Sequence, residues 1–230
     1  RRLPNGLGVT VIEKRGLPVV SFALVINAGA ITDPQDMPGL ASFTAQMLTE
    51  GTEARSSQEI ANAFEFMGAR ISAETRREIT MLSSETLTKH WGTALGLMAD
   101  LVLHPTFPQH ELDRVRREHL TDLRRAKDDP TFVAEQVIAG LNFGFESRYG
   151  HSSIGTEKST VALTRDDLVR QFQQFYGPAG ATLIVVGDAS LDDVMEQATA
   201  AFGDWSVAAP EYVAGITPAP DGCSSETTIY

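Results

Sequence analysis

The sequence predicts an α+β fold, a two-layer sandwich in which helices pack on one face of a mainly antiparallel sheet. Strand-like and helix-like segments cluster along the chain, in the order β, β, α, α, β, β, several helices, one strand and one helix. Alternating apolar residues mark the strands, and apolar residues at helical spacing mark the helices. A doubly wound parallel sheet fits less well, because its strands and helices alternate.

The first segments predict two strands followed by a helix. "GVTVIE" and "VVSFALVI" flank the turn-like "KRGLP", which indicates a hairpin or a pair of adjacent strands. The segment 39–50 then carries Leu40, Phe43 and Met47 at helical spacing. Gly51 follows as a stop signal, so we expect a helix here.

A second helix and a second hairpin follow. Ser56 and Glu59 form a capping-box pattern ahead of "IANAFEFMG", which Gly68 closes. "RISA" and "EITMLSSET" are strand-like around a charged turn. These patterns predict a helix that is followed by two paired strands.

Most of the remaining chain is predicted to be helical. Helical stretches cover Trp91 to Leu103, "ELDRVRREHLTDLRRAK" with Pro108 at its N1 position, and "TFVAEQVIAGLNF" after the break at "DDP". Residues 150–156 are predicted to be a loop. Thr164 with Asp167 starts another helix, "ATLIVVG" is a buried strand, and "SLDDVMEQATAAFGDW" ends in a helix.

Composition excludes several functional classes. The formal net charge of −11 argues against a nucleic-acid binder, which needs a clustered cationic face, and suits a cationic or neutral polypeptide partner better. The single cysteine, Cys223, cannot form an internal disulfide or bind zinc by itself. The longest apolar stretches are too short and too interrupted to cross a bilayer.

The sequence predicts one large domain followed by a linker. We assign residues 1–205 to the domain and residues 206–230 to a Pro-rich linker with the start of a truncated second half. The chain begins at Arg1 without a methionine and ends on the strand-like "TTIY". We therefore expect it to be a piece of a longer polypeptide.

One face of the predicted 39–50 helix has the residue spacing of a metal site. Side chains four residues apart on a helix share one face, so two histidines at that spacing can grip one zinc ion. Here the face offers Ser42, Ala45 and Gln46. A hydroxyl and an amide bind zinc weakly, and alanine cannot deprotonate a water.

Six motifs resemble the pitrilysin/insulinase family of zinc metallopeptidases, which includes the mitochondrial processing peptidase subunits. They are "LPNGLGVTVIEKRGLPVVSFALVINAGAITDP", "GLASFTAQMLTEGT", "FMGARISAETRREITML", "YGHSSIGTEKSTVALTRDDL", "FYGPAGATLIVVGD" and "FGDW". The resemblance runs from Leu3 to Trp205. It implies the metallohydrolase fold of that peptidase and an H-x-x-E-H zinc motif on the 39–50 helix.

Carried over by residue, the resemblance places the zinc motif on residues that cannot bind zinc. The two histidines fall on Ser42 and Gln46, the catalytic glutamate on Ala45, and the distal glutamate ligand on Asp122. One remaining carboxylate cannot replace a three-ligand site. The resemblance thus implies a degenerate N-terminal half without peptidase activity.

The resemblance also implies partners and a substrate class. We expect the chain to bind polypeptide and to complete the clamp of a catalytic subunit or half, which alone would carry zinc. The strand Arg70, Ile71, Ser72 and Ala73 corresponds to a family region near the cleft, where a peptide can add as an extra strand. An ordinary sheet strand is equally consistent with this segment. By analogy with paired bacterial relatives, we expect the periplasm or cell envelope.

Alternative interpretations remain. The chain could be a purely structural interaction subunit, or an active enzyme with an atypical metal site at Glu118, His119 and Asp122. A polar helix face is the simpler explanation of those three residues. A basic cluster could line a substrate chamber or simply pair with acids on its own helix; it comprises Arg114, Arg116, Arg117, Arg124, Arg125 and Lys127.

Overall fold

Five strands form a single sheet in the order β1-β5-β2-β4-β3. The computed structural model describes residues 1–145 and 147–206. The strands are β1 Gly8–Glu13, β2 Val19–Ile26, β3 Arg70–Thr75, β4 Thr80–Leu87 and β5 Ala181–Gly187. Three of the four pairings are antiparallel, and β1 with β5 is parallel. The sheet is therefore mainly antiparallel, as predicted.

The predicted pairing of the first two strands is wrong. β5 lies between β1 and β2, parallel to the first and antiparallel to the second. Leu183 and Val185 of β5 are fully buried. In this central position the apolar strand β5 has hydrogen-bonded neighbours on both sides, whereas at an edge of the sheet it would have only one. The second predicted hairpin is confirmed, because β3 pairs with β4 from Arg70 opposite Glu85 to Thr75 opposite Thr80.

The described residues also form eight α-helices. They are α1 Leu40–Met47, α2 Ser57–Phe66, α3 Trp91–Leu103, α4 Gln109–Lys127, α5 Pro130–Phe143, α6 Glu157–Ala162, α7 Arg165–Phe175 and α8 Leu191–Phe202. The capping box of Ser56 with Glu59 is confirmed, as is the start of α7 at Thr164. A short 3-10 turn, Leu48–Glu50, extends α1 to the predicted end.

Two helix details differ from the predictions. Pro108 is the N-cap of α4 rather than its N1 residue, because its ψ of 134° is extended and the helix begins at Gln109. The short helix α6 was not predicted. Its N-terminus carries a capping box of Thr156 with Ser159, in which serine replaces the acid that usually marks this motif.

The helices cover one face of the sheet, which confirms the predicted two-layer α+β class. Along β2, Val20, Phe22, Leu24 and Ile26 are buried, whereas the residues between them are half-buried. Trp91 at the start of α3 meets Phe22 edge to face, with ring centroids 6.5 Å apart. This alternation places the core between the sheet and one helical layer.

In the part of the chain that the structure describes, no helix combines the length and apolarity that a membrane crossing requires. The predicted linker and second-half start at 206–230 lie outside the described residues, apart from position 206.

Candidate functional site

The candidate site is built on α1, whose N-terminus is held by a carboxylate from outside the helix. The two oxygens of Asp33 accept hydrogen bonds from the backbone N–H of Gly39 and of Ala41, each at 2.7 Å. Asp33 is fully buried, and this burial raises its pKa to about 7, although the two N–H donors act in the opposite direction. One side chain thus satisfies two of the N–H groups that a helix start leaves unpaired.

Close backbone contact fixes the entry to α1. Gly39 has a φ of 91°, and a side chain added there would meet the Cα of Gly155 at 2.7 Å. Gly155 approaches the carbonyl of Pro38 in the same way and also has a positive φ. Glycine is required at both positions because the loop 150–155 crosses directly over the helix start.

The three residues on the predicted site face lie together, as their spacing requires. The amide of Gln46 donates to the hydroxyl of Ser42 across one helical turn, at 3.5 Å. Ser42 is buried, Ala45 is fully buried and Gln46 is half-buried. This face of α1 therefore presents a weak hydrogen bond between Ser42 and Gln46 and the packed methyl group of Ala45.

These residues do not fit a zinc ion. Zinc sites in proteins use imidazole, thiolate and carboxylate ligands, and this face presents none of them. Within residues 1–145 and 147–206 there is no group of three or more His, Cys, Asp or Glu side chains that could hold a metal. The side chains of this face therefore supply no ligands for a metal-dependent step.

The distal position, Asp122, lies on α4 and faces solvent. Its side chain is 67% exposed and pairs with Arg125 at 3.5 Å. His119, one turn earlier, is buried; its Nε2 lies 2.8 Å from the carbonyl oxygen of Ile154 and therefore donates to it. His119 also meets the ring of Phe43 on α1 edge to face, at 5.6 Å.

The alternative metal cluster is therefore not assembled. The Nε2 of His119 is engaged by a backbone carbonyl, and Glu118 accepts from Arg114 at 2.9 Å. Asp122 points to solvent, beside Arg125. His119 instead joins α4, α1 and the loop 150–155 into one packed unit.

A charge cluster joins the far end of α1 to α4. Arg114 donates to Glu111 at 2.6 Å, to Glu118 at 2.9 Å and to Glu50, the last residue of the turn after α1. Ser57 at the start of α2 also donates to Glu111. Burial raises the pKa of Glu50, whereas the bond from Ser57 lowers the pKa of Glu111. Arg114 thus ties α1, α2 and α4 together.

The predicted peptide-binding strand lies at an open position of the sheet. β3, which contains Arg70, Ile71, Ser72 and Ala73, is the last strand in the order and pairs with β4 alone among the described strands. Beside it is a cavity of 590 Å³ whose walls come from the 3-10 turn after α1 and from α2, β3 and α4. Its lining includes Thr49, Glu50, Ile60, Ile71, Glu111 and Arg114.

The basic residues of α4 are largely paired with acids. Arg116 pairs with Asp113 at 2.9 Å, Lys127 pairs with Glu157 at 2.5 Å, and Arg124 contacts the same glutamate at 3.6 Å. The pairs of Arg114, Arg116 and Arg125 with acids of α4 itself support the interpretation of a balanced helix face. Lys127 and Arg124 instead reach an acid of α6. Reasoning from sequence missed the role of Asp33 and the bond from Arg114 to Glu50, because both depend on contacts distant in the chain. The i, i+3 and i, i+4 spacing within α4 indicated only the pairing of Arg114 with Glu111 and Glu118.

Two family models match the chain. The model described as insulinase (peptidase family M16) matches residues 9–143, more than half of the chain. A second, described as the peptidase M16 inactive domain, matches residues 162–227. The chain therefore belongs to peptidase family M16, the insulinase family, and the resemblance seen in the sequence is confirmed.

Relatives agree with this assignment. The chain is 24% identical over 201 residues to the uncharacterized zinc protease YmxG of Bacillus subtilis, covering 87% of this chain and 49% of that protein. It is 27% identical over 202 residues to the mitochondrial-processing peptidase subunit beta of Bos taurus, covering 88% and 41%. The chain thus spans about half the length of these relatives.

Solved structures show the same fold. A peptidase M16 inactive domain from Pseudomonas fluorescens matches with a TM-score of 0.84 and 27% identity, covering 91% of this chain and 51% of that one. The first half of the periplasmic protease PqqL from Escherichia coli matches with a TM-score of 0.82 and 22% identity, covering 92% and 47%. The latter similarity concerns the fold alone.

Proposed function

We propose that this chain is a non-catalytic half of an M16 peptidase assembly, which binds polypeptide and completes the clamp around a catalytic partner. The replacement of the zinc motif by Ser42, Ala45 and Gln46 carries the proposal. The frame of α1 is kept, with Asp33 at its start and Arg114 at its end.

Polypeptide binding is supported by the edge of β3. An edge strand offers unpaired backbone groups to which an extended peptide can add. The cavity of 590 Å³ next to Ile71 could take a side chain of that peptide. Its wall combines apolar Ile60 with Glu50 and Glu111, and both carboxylates are already paired with Arg114 in the same wall. The apolar part of the wall therefore favours an aliphatic side chain.

Zinc, in this proposal, belongs to the partner alone. The partner is a catalytic subunit or half of the same family with an intact H-x-x-E-H, and the assembly is a bacterial heterodimer. The periplasm or cell envelope is the proposed compartment; PqqL, whose first half has the same fold, is named a periplasmic protease.

An experiment in which this chain is mixed with candidate partners tests the proposal. Each intact M16 zinc-peptidase chain of the source organism is purified and assayed on an unfolded polypeptide, alone and with an equimolar amount of this chain. We expect one of them to cleave at least about tenfold faster in the mixture, because substrate positioning raises the rate of the catalytic subunit. Equal cleavage by the partner alone would reject complementation.

A purely structural role is the second candidate. The open position of β3 and its cavity favour substrate contact over this role, since a scaffold needs neither. If a stable complex forms without any change in cleavage rate, the chain is a structural subunit.

A further inference from the structure

The face of the sheet opposite the helical layer is one continuous surface, here called the uncovered face. The pairing register fixes its members, because residues that pair directly across two strands point to the same side of the sheet. One row across all five strands consists of Ile12, Val186, Ser21, Glu85 and Arg70. Along β2 and β5 the residues of this face are half-buried, whereas the residues that face the helices are buried.

The part of the uncovered face on β1, β5 and β2 is largely apolar. It presents Ile12, Val19, Val25, Ile184 and Val186. β5 pairs in parallel with β1, and parallel pairs in proteins are normally covered on both faces. This part of the sheet therefore requires a cover that the described residues do not supply.

Exposed apolar side chains continue from this apolar part. Leu87, which is 42% exposed, pairs with Val19, and Leu17, which is 74% exposed, lies in the turn before β2. Ile12, beside Val186, is 56% exposed. Single exposed apolar residues are ordinary, but a group at one end of an apolar sheet face marks an interaction surface.

The part of the uncovered face on β4 and β3 is polar, and its side chains bond to one another. Ser21 of β2 donates to Glu85 at 2.5 Å, and the hydroxyl oxygens of Ser72 and Ser83 lie 2.9 Å apart. A groove of 390 Å³ lies over this part, and Ala23, Ser72 and Ser83 are among its lining residues. An apolar area beside a polar area whose groups are already bonded has the composition of a contact between domains.

The size of the uncovered face favours a domain that is covalently attached. Five strands about 4.8 Å apart, each with six residues or more that rise about 3.3 Å, give a face of about 400 Å². A stable complex of separate proteins buries about 800 Å² on each partner. Domains of one polypeptide bury as little as about 300 Å² each, because the linker keeps them at a high effective concentration.

The relatives contain enough chain for such a domain. This chain spans 49% of YmxG and 51% of the Pseudomonas fluorescens structure, so a comparable length of the same polypeptide accompanies the matching part in each. The family model that includes β5 matches residues 162–227 and so extends past the described residues. Asn5, just before β1, donates to the carbonyl oxygen of Trp205 at 3.2 Å. Chain that follows Trp205 therefore starts beside β1, on the apolar side of the uncovered face.

We infer that the uncovered face, centred on Ile184 and Val186, packs against a second domain that follows residue 206 in the same polypeptide. The inference is independent of the proposed function, because it requires neither polypeptide binding nor a catalytic partner. It assigns a cover to the apolar part of the sheet and leaves the edge of β3 open.

The test measures how fast single cysteines react with a maleimide in the full-length polypeptide that the gene encodes. Cys223→Ser is the parent protein. Ile12→Cys and Leu87→Cys each place a thiol on the uncovered face, and Val161→Cys on α6 is the control. All three positions are exposed in the fold described above, so the substitutions cost little stability. Each rate is divided by the rate of the same thiol in the unfolded protein, which removes differences in intrinsic reactivity. Thermal unfolding verifies that each variant is folded, and mass spectrometry identifies the labelled peptide.

We expect the thiols of Ile12→Cys and Leu87→Cys to react at least about tenfold more slowly than that of Val161→Cys, because a packed domain excludes the reagent. The rates should not change when the protein is diluted, since the covering domain belongs to the same polypeptide. Reaction of both thiols at the rate of the control overturns the inference. The mixing assay is unaffected by this result, so the proposed function is judged separately.

Three further results would overturn the inference. If protection is lost on dilution together with a dimer seen by sedimentation, a second copy of the polypeptide covers the face. If the thiols are protected only after an unfolded polypeptide is added, the face binds substrate. If the gene encodes no second domain after residue 206, nothing in the same polypeptide can cover it.

Discussion

Asp33 is the residue on which the start of α1 depends. It is fully buried, and its carboxylate accepts from two backbone N–H groups. Desolvation of the charged form outweighs these bonds, so its pKa is raised to about 7. The site helix therefore begins at a group whose charge changes near neutral pH.

The stability of the chain should depend on the protonation of Asp33. Since an exposed aspartate titrates at about 3.9, the folded chain keeps a proton between about pH 4 and pH 7 that the unfolded chain releases. The free energy of unfolding therefore falls as pH rises through this window, with a slope of up to about 1.4 kcal/mol per pH unit from this group. Urea unfolding of wild type and Asp33→Asn across this range measures the effect.

Asparagine removes the titration and one of the two acceptor oxygens. The variant should be less stable at pH 5 by about 1–3 kcal/mol, and its stability should vary less with pH. If the free energies of unfolding of the two proteins change with pH in the same way, Asp33 is ionised in the folded chain at all these pH values.

Ser42, Gln46 and Asp122 can test whether the zinc-peptidase frame is kept in its geometry. We expect Ser42→His, Gln46→His and Asp122→Glu together to bind about one zinc per chain, because i, i+4 histidines share one helix face and a carboxylate completes a three-ligand site. The wild type and a Ser42→Ala, Gln46→Ala control should bind no stoichiometric zinc. Metal analysis after gel filtration gives the content of each. If the triple variant and the control bind equally little, α1 and α4 do not hold ligand positions at the required spacing.

At the scale of the elements, Arg114 fixes the positions of α1, α2 and α4 relative to one another. Glu50 and Glu111 are mostly buried, with 18% and 12% of their side-chain surface exposed, and both accept from this arginine. Removing one partner of a buried ion pair leaves uncompensated charge, which costs more than the pair contributes.

Arg114→Ala should lower the free energy of unfolding by about 2–3 kcal/mol, less than a fully buried pair because Arg114 itself is partly exposed. Arg125→Ala is the matched control, since it removes an exposed arginine from an i, i+3 pair on the same helix. It should change stability by less than about 0.5 kcal/mol. Urea unfolding compares the two, and equal effects would mean that the Arg114 cluster is as weak as an ordinary surface pair.

Most elements were predictable from local patterns. The bounds of α3, the caps of α2 and α7 and the β3–β4 hairpin follow from apolar spacing and from side chains that bond within a few residues. The insertion of β5 between β1 and β2 was not predictable in this way. It joins strands about 170 residues apart by backbone pairing, which leaves no local signature in the sequence.

At the scale of the whole molecule, the net charge of −11 should favour cationic polypeptides in the binding that we propose for this chain. We expect a lysine-rich unfolded peptide to bind at least about tenfold more tightly at low salt than the same peptide with glutamate at every lysine position. Because exposed charges are screened by salt, the difference should shrink at high ionic strength. Fluorescence anisotropy of the two labelled peptides measures it. Equal affinities at low salt would mean that binding depends on backbone pairing and apolar contact alone.

The described residues form one layer of helices on one face of a sheet, which leaves the other face of the sheet, the edge of β3 and part of α5 uncovered. The edge of β3 was named from the sequence as a candidate for peptide binding and remains one. The exposure of α5 was not foreseen, since "TFVAEQVIAGLNF" has the composition of a buried helix. The composition of a segment indicates whether its side chains should be buried. The packing shows which of the apolar segments remain exposed.

The family and the class of fold were predictable from the sequence, because its motifs and apolar spacing are local features of the chain. The order of the strands, the capping of α1 by Asp33, the hydrogen bond from His119 to Ile154 and the exposure of α5 were visible only in the folded chain. These depend on contacts between residues far apart in the chain. Such contacts arise from the balance of burial and hydrogen bonding over the whole molecule, which no local pattern records.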